Sequence, residues 1–217
     1  MSKTQNYVSS ELTHFVGRSL ENDEERYNLL VDIVKTGIIR TRNGNGKGAV
    51  MTLSRPSIDI STNEAFTPDM VCFCDIPIND FEIHMRKYSR FGLSFSKDFL
   101  IPQGMRPVYY VPNNSIRSKK NISDIFNENI KKYAHLEKGL PFDVRGFFIF
   151  EVFSFIKFFD AEKAEDDPDN FYMEREWRGL ERIEFNVHDI TRIVLPSRYI
   201  KRLFQDIPDY NSHILTV

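Results

Sequence analysis

The sequence predicts an α+β fold: an antiparallel or mixed sheet with inserted helices. Strand-like runs fall into two groups separated by helical patterns, instead of alternating with helices as in a doubly wound parallel sheet. Hydrophobic residues make up 41% and charged residues 28%, an ordinary globular balance that excludes a disordered chain. No internal repeat or linker divides the 217 residues, enough to bury a core, so residues 1–217 read as one domain.

The elements follow in order. Leu12–Val16 is apolar and β-leaning, a first strand. Asn22-Asp-Glu-Glu25 is a capping pattern, and Leu29, Leu30, Ile33 and Val34 give the following helix one apolar face that Gly37 ends. Thr41–Gly48, with Asn-Gly-Asn-Gly, is a flexible loop, and no Lys-Ser/Thr follows its glycines as a phosphate-binding loop requires. Met70–Phe73 is a buried strand ended by Asp75-Ile-Pro77, and Asn79 can cap a helix to about Arg90. Leu93–Phe95 and Pro107–Val111 are strands, and Asn121–Lys138 is an amphipathic helix. Phe147–Phe159 is either a buried helix or a long strand, and its length favours the helix. An acidic loop, Asp160–Asn170, precedes strand-like runs at Tyr172–Arg178, Ile183–Val187 and Ile190–Leu195, and Ser197 caps a last helix to about Phe204.

The net charge of -2 supplies no global field toward nucleic acid or membrane. Between Met85 and Lys120, however, eight basic residues stand against one acid, Asp98, which makes either a basic face or an ordinary solvated surface. Cys72 and Cys74 are too close in sequence for an unstrained disulfide, and with five scattered His they make a poor metal site, so no metal is expected. The absence of a signal-like N-terminus or a membrane-length apolar run favours the cytoplasm and no membrane partner.

Glu174-Arg-Glu-Trp-Arg178 is the densest polar feature. On a strand, Glu174, Glu176 and Arg178 share a face. Two carboxylates and a guanidinium there are either a salt-bridged surface or the lining of a cleft, where one acid stabilises a sugar cation and the other orients a nucleophile. His14 and Phe15 lie on the first strand, where a histidine either bonds a ribose hydroxyl beside ring-receiving aromatics or packs as a half-buried strand residue. His84 and Tyr88 share a helical face, and Tyr88 either stacks on a heteroaromatic ring or packs under the next strand. Asp75 either caps or binds. No Ser-His-Asp or Cys-His nucleophile pattern stands out.

Thr13-His-Phe-Val-Gly17, Thr36-Gly-Ile-Ile39, Val71-Cys-Phe-Cys-Asp-Ile-Pro77, His84-x-x-x-Tyr88-x-x-Phe91-Gly92, Gly104-x-x-Pro107-Val-Tyr-Tyr110 and Glu174-Arg-Glu-Trp-Arg178 occur in that order. The ordered set, from about Leu12 to Phe204, resembles the AbiGi family of abortive-infection proteins, a family commonly labelled antitoxin. More distantly, an early strand with a His, a helix ending in Gly-Ile and a late strand with a Glu resemble ADP-ribosyltransferases, including the DarT-like toxins. That second resemblance implies an ADP-ribosyltransferase-like split sheet and NAD as substrate. It implies Glu176 as the catalytic glutamate, Glu174 as the group positioning the acceptor, and His14, Phe15, His84, Tyr88 and Arg178 as NAD-binding residues. No clear Ser-Thr-Ser element is present.

The resemblances imply a phage-defence toxin that moves ADP-ribose onto a macromolecule, with nucleic acid slightly favoured over protein by the basic stretch. A toxin needs restraint, so a cognate antitoxin, with or without a chaperone, is the expected partner. The alternative is a non-catalytic antitoxin that neutralises a partner toxin. A nuclease using the paired acids is weaker, since such enzymes usually need a metal and a third acid.

Overall fold

The structure, a computed structural model, describes residues 9–40, 59–63, 69–117, 119–167, 169–180 and 182–217. The loop expected at Thr41–Gly48 lies outside the described residues. In chain order the strands are β1 (Glu11–Phe15), β2 (Ile38–Arg40), β3 (Met70–Cys74), β4 (Gly92–Ser96), β5 (Arg106–Pro107), β6 (Tyr109–Pro112), β7 (Ile116–Arg117), β8 (Lys120–Asn121), β9 (Ile156–Phe159), β10 (Glu176–Leu180), β11 (Arg182–Glu184), β12 (Ile190–Leu195) and β13 (His213–Thr216). The α-helices are α1 (Asp23–Thr36), α2 (Phe81–Lys87), α3 (Lys97–Leu100), α4 (Ile122–Leu136), α5 (Phe142–Gly146) and α6 (Ile200–Asp206).

Among the described residues seven strands form one sheet in the order β13-β12-β4-β1-β3-β10-β5. Every neighbouring pair is antiparallel except β12–β13, which is parallel, so the fold is α+β with a mixed sheet as expected. Alternating apolar residues build the main core, in which Leu12, Leu93, Phe95, Ile190, Ile193 and Leu195 are fully buried beside Tyr27 and Leu30 of α1.

Helix α1 starts where the sequence indicates. The Asn22 side chain accepts from the Glu25 amide at 2.9 Å, satisfying one of the orphan donors of the first turn. Gly37 ends the helix at φ +66°, and a Cβ there would stand 2.4 Å from the Phe185 carbonyl oxygen, so space as well as conformation demands glycine.

The feature that makes room for a site is the seam between β1 and β3. Strands β1 and β4 pair over five residues, as do β10 and β3, whereas β1 meets β3 only at Thr13–Cys74 among the described residues. The sheet is split there.

Residues 109–159 form an insertion between β5 and β10 with its own small core. Ile60, Val111, Ile149 and Phe158 are buried in it, with Phe126, Phe150 and Phe153 packed around them. The run Phe147–Phe159 is neither one helix nor one strand. It is a π-helix over Phe147–Val152, a 3-10 turn over Phe153–Phe155 and then β9, which pairs parallel with β6. The Ser154 hydroxyl donates to the Ile149 carbonyl at 2.7 Å and closes the helical part, freeing the rest to pair as a strand.

Other local expectations shift. Pro107–Val111 divides between two sheets because the Val108 amide turns to the Glu176 carbonyl at 3.1 Å. Asn79 lies inside a 3-10 turn, Ile78–Asp80, and the helix after it ends at Lys87. Ser197 opens a 3-10 turn ahead of α6. No described helix is long and apolar enough to cross a membrane.

Candidate active site

At the β1–β3 seam a cavity of about 350 Å³ is lined by His14, Phe15, Arg18, Cys72, His84, Tyr88, Lys157, Glu174 and Glu176, with Thr13, Phe73 and Cys74. It adjoins a larger one of about 660 Å³, and the two share His14, Phe15 and Arg18 in their walls. Six of the seven residues singled out in the sequence therefore meet in one place. Arg178 stands behind Glu176.

The two glutamates meet by a route the alternation of a strand does not describe. Glu174 ends a 3-10 turn, Phe171–Glu174, that Asn170 caps through the Tyr172 amide. Arg175 then takes the left-handed conformation at φ +44°, and the strand begins only at Glu176. The turn, rather than two-residue periodicity, swings Glu174 into the cleft. From Glu176 onward the alternation holds: Arg178 Nε donates to Glu176 Oε1 at 2.8 Å along the same face.

Both carboxylates are buried, at 5% and 6% exposure, and each has several donors. Glu176 accepts from Arg178 and, on Oε2, from Lys157 at 2.8 Å. Glu174 accepts on Oε1 from Lys87 at 2.8 Å and from the Tyr88 hydroxyl at 2.5 Å, and on Oε2 from Lys157 at 3.0 Å. Burial opposes ionisation of both acids, and the surrounding cations outweigh it. Glu176 is lowered to about 2, chiefly by Arg178 and Lys157 against burial, and Glu174 is also held below the ordinary carboxylate value. The pair is therefore fully ionised at neutral pH, with no acid in it ready to give a proton.

His14 bridges the split sheet. Its Nδ1 lies 2.8 Å from the Cys72 carbonyl oxygen. A carbonyl only accepts, so Nδ1 carries the proton and Nε2 is left as an acceptor. Burial lowers this imidazole below its ordinary value, against the pull of the carbonyl. His84, 5% exposed, lies between Phe15 and Tyr88 with ring centroids at 6.3 and 6.0 Å. Neither of its ring nitrogens has a hydrogen-bond partner among the described residues, and burial lowers it to about 4. Tyr88 sits at the C-cap of α2, where the Arg18 guanidinium lies 5.1 Å from its ring centre.

Asp75, which the sequence left between capping and binding, caps no described helix. It takes the Lys97 ammonium at 2.7 Å and the Ser9 amide at 3.1 Å, and so ties the entry of β1 to β3. Within the basic stretch Met85–Lys120, five of the eight cations are ion-paired. Lys87, Arg90, Lys97, Arg106 and Lys120 are paired with Glu174, Asp23, Asp75, Glu151 and Glu128. No group of three or more His, Cys, Asp or Glu is placed to hold a metal ion among the described residues.

Lys157, Lys87, Arg18 and Tyr110 were not foreseen as site residues. The Tyr110 hydroxyl accepts from the Glu176 amide at 2.6 Å. Lys157 had one available signal: it and Glu151 are the charged residues of the otherwise nearly apolar Phe147–Phe159 run.

A family model described as "abortive phage resistance protein AbiGi, antitoxin" matches residues 50–199, more than half of the chain. The chain belongs to the AbiGi family. The AbiGi match places β3, α2, the insertion and β10, hence the acidic pair, within the family region, while His14 precedes it. The abortive phage resistance protein AbiGi of Lactococcus lactis subsp. cremoris is 29% identical over 132 residues, covering 53% of this chain and 51% of that protein. The chain thus spans about half the length of this AbiGi relative. Among solved structures, Thermus sp. 2.9 DarT in complex with carba-NAD+ aligns over 96% of this chain and 95% of its own, at 11% identity and a TM-score of 0.42. That likeness is too slight to carry a site from one protein to the other.

Proposed function

We propose that this AbiGi-family protein, with residues 1–217 as one ADP-ribosyltransferase-like domain, is a defence toxin that transfers ADP-ribose from NAD to a macromolecule. The observation that supports the reading is a buried, doubly ionised glutamate pair at the wall of a cavity with aromatic lining.

The ionisation state selects the chemistry. Hydrolysis of an ordinary glycoside needs a carboxylic acid with a raised pKa to protonate the leaving oxygen, and this pair is lowered. Nicotinamide in NAD is already a cationic pyridinium. When its bond to the ribose breaks, the electron pair returns to the ring nitrogen, the ring leaves neutral, and no proton donor is required. What the reaction does need is a fixed negative charge beside the sugar carbon that becomes cationic, which stabilises the transition state more than the ground state. Glu176 would take that role. The acceptor then attacks the sugar carbon and gives up a proton. Glu174 would orient the acceptor, the free Nε2 of His14 would accept from a ribose hydroxyl, and Phe15, His84 and Tyr88 would receive the nicotinamide ring. Arg178 acts from behind, by holding Glu176.

The test is calorimetric titration of NAD into Glu176→Gln protein, paired with single-turnover measurement on the wild type. Saturable binding lost on replacing His14, with Glu176→Gln slowing nicotinamide release by roughly a hundredfold or more, supports the transferase. A folded protein that binds nothing at millimolar NAD sinks it.

The family description favours a second reading, a non-catalytic antitoxin that binds a partner toxin. Expression separates the two: a toxin is poorly tolerated alone and is relieved by Glu176→Gln, whereas an antitoxin is harmless. On the toxin reading a cognate antitoxin, with or without a chaperone, is the expected partner.

A further inference from the structure

The insertion touches the main sheet where β10 begins, through polar groups. Its Tyr110 hydroxyl meets the Glu176 amide at 2.6 Å. Its Ser154 and Ile156 carbonyls accept from Arg178 at 2.5 and 3.4 Å. Its Lys157 ammonium reaches both glutamates, at 3.0 Å from Glu174 Oε2 and 2.8 Å from Glu176 Oε2. Lys157 is one of two ammonium groups over the Phe171 ring, at 4.6 Å, with Lys87 at 4.5 Å.

Each carboxylate also has a cation of its own: Lys87 for Glu174 and Arg178 for Glu176. Among the described residues, Lys157 is the cation bonded to both. Two carboxylates in one buried site cannot both stay ionised unless something offsets their mutual repulsion, because like charges raise one of the two pKa values. A cation bonded to both does this most directly. It also fixes the distance between the two acids, since the same nitrogen bonds an oxygen of each.

We propose that Lys157 is a positioning residue that holds the Glu174 and Glu176 carboxylates together as one acidic pair, so that the insertion completes the site. The role rests on the reading of this cleft as the reacting centre. Lys157 acts through the glutamates and needs no contact with substrate. The other groups facing the pair cannot substitute for it. The hydrogen bonds that Lys87 and Tyr88 of α2 give to the pair go to Glu174, and those of Arg178 from β10 go to Glu176. Tyr110 from β6 meets only the Glu176 backbone amide. His84 from α2 is held neutral by burial, Cys72 from β3 is a half-buried thiol kept neutral by desolvation and by the neighbouring Glu176 carboxylate, and the Arg18 guanidinium lies over Tyr88.

The experiment follows the side-chain carboxyl carbon resonances of Glu174 and Glu176 by NMR from about pH 7.5 to about pH 4, assigned with Glu174→Gln and Glu176→Gln. In the wild type Glu176, lowered to about 2, should remain ionised across the range, and Glu174 should titrate below an ordinary glutamate. In Lys157→Met at least one should titrate higher by about one pH unit or more, and Lys157→Arg, which keeps the charge, should restore the wild-type behaviour. Lys157→Gln, which keeps an N–H donor without charge, is the second variant should the methionine protein fail to fold, and it should show the same rise. Unchanged titrations in a folded, uncharged variant would overturn the proposal, because a merely structural lysine would leave them unmoved. The readout requires no turnover: failure to bind NAD would remove the proposed function and leave this result standing.

Discussion

The main sheet and the insertion both bury phenylalanines, but they hold together differently. In the main sheet, strands pair over long registers and fully buried residues such as Leu93, Phe95 and Ile193 form one continuous core. In the insertion, β6, β9, α4 and a π-helical turn enclose a few residues, while Phe142, Leu136 and Phe147 remain 80%, 68% and 56% exposed. The sheet is a scaffold stabilised by area removed from water. The insertion meets β10 through polar groups that also hold the glutamates, and it meets β5 through Arg106, which pairs with Glu151 and lies over the Phe155 ring. In this molecule, part of the contact that docks the insertion also shapes the site.

The largest effect that would break this comparison is in the main core. Phe95→Ala should cost about 3–5 kcal/mol, because the fully buried ring leaves a cavity among Phe73, Phe99 and Phe185. Urea unfolding measures it, and a loss below about 1 kcal/mol would mean the sheet can collapse around the gap.

A somewhat smaller effect comes from His84, which is buried against Phe15 and Tyr88 and has no hydrogen-bond partner among the described residues. Its pKa falls from 6.5 in an unperturbed imidazole to about 4 in the folded protein. The unfolded chain therefore takes up a proton, as pH drops through 6.5, that the folded chain refuses until about pH 4. This stability is fully present above pH 6.5 and is lost progressively down to about pH 4, up to ~3 kcal/mol in all. His84→Phe should flatten that part of the stability–pH curve, and an identical slope in the variant would show that the imidazole charges freely in the folded state.

The smallest effect sharpens the contrast. Phe142→Ser, on the exposed side of the insertion, should change stability by no more than about 0.5 kcal/mol by the same urea assay. A larger loss would show that this ring is covered in solution.

How far the site could be read in advance depended on the kind of signal. His14, His84, Tyr88 and the two glutamates were visible because each combines an unusual residue type with local spacing. Their convergence was legible only through the resemblance, since β1, α2 and the turn before β10 are far apart in the chain. The geometry expected for Glu174 was mistaken. A left-handed residue at Arg175 breaks the alternation, and nothing in Glu-Arg-Glu announces it. Lys157 stayed hidden because an isolated lysine in an apolar run reads as an interruption until its partners are known.

By itself the sequence determined the class of fold, the boundaries of α1 and the positions of β1, β3, β4 and β12, because caps, stops and apolar periodicity act within a few residues. Only the tertiary structure decided where β1 parts from β3, how the Phe147–Phe159 run divides between helix and strand, and which cations neutralise the glutamates. Those outcomes are set by long-range pairing and by the cost of burying charge, and neither is written in local spacing.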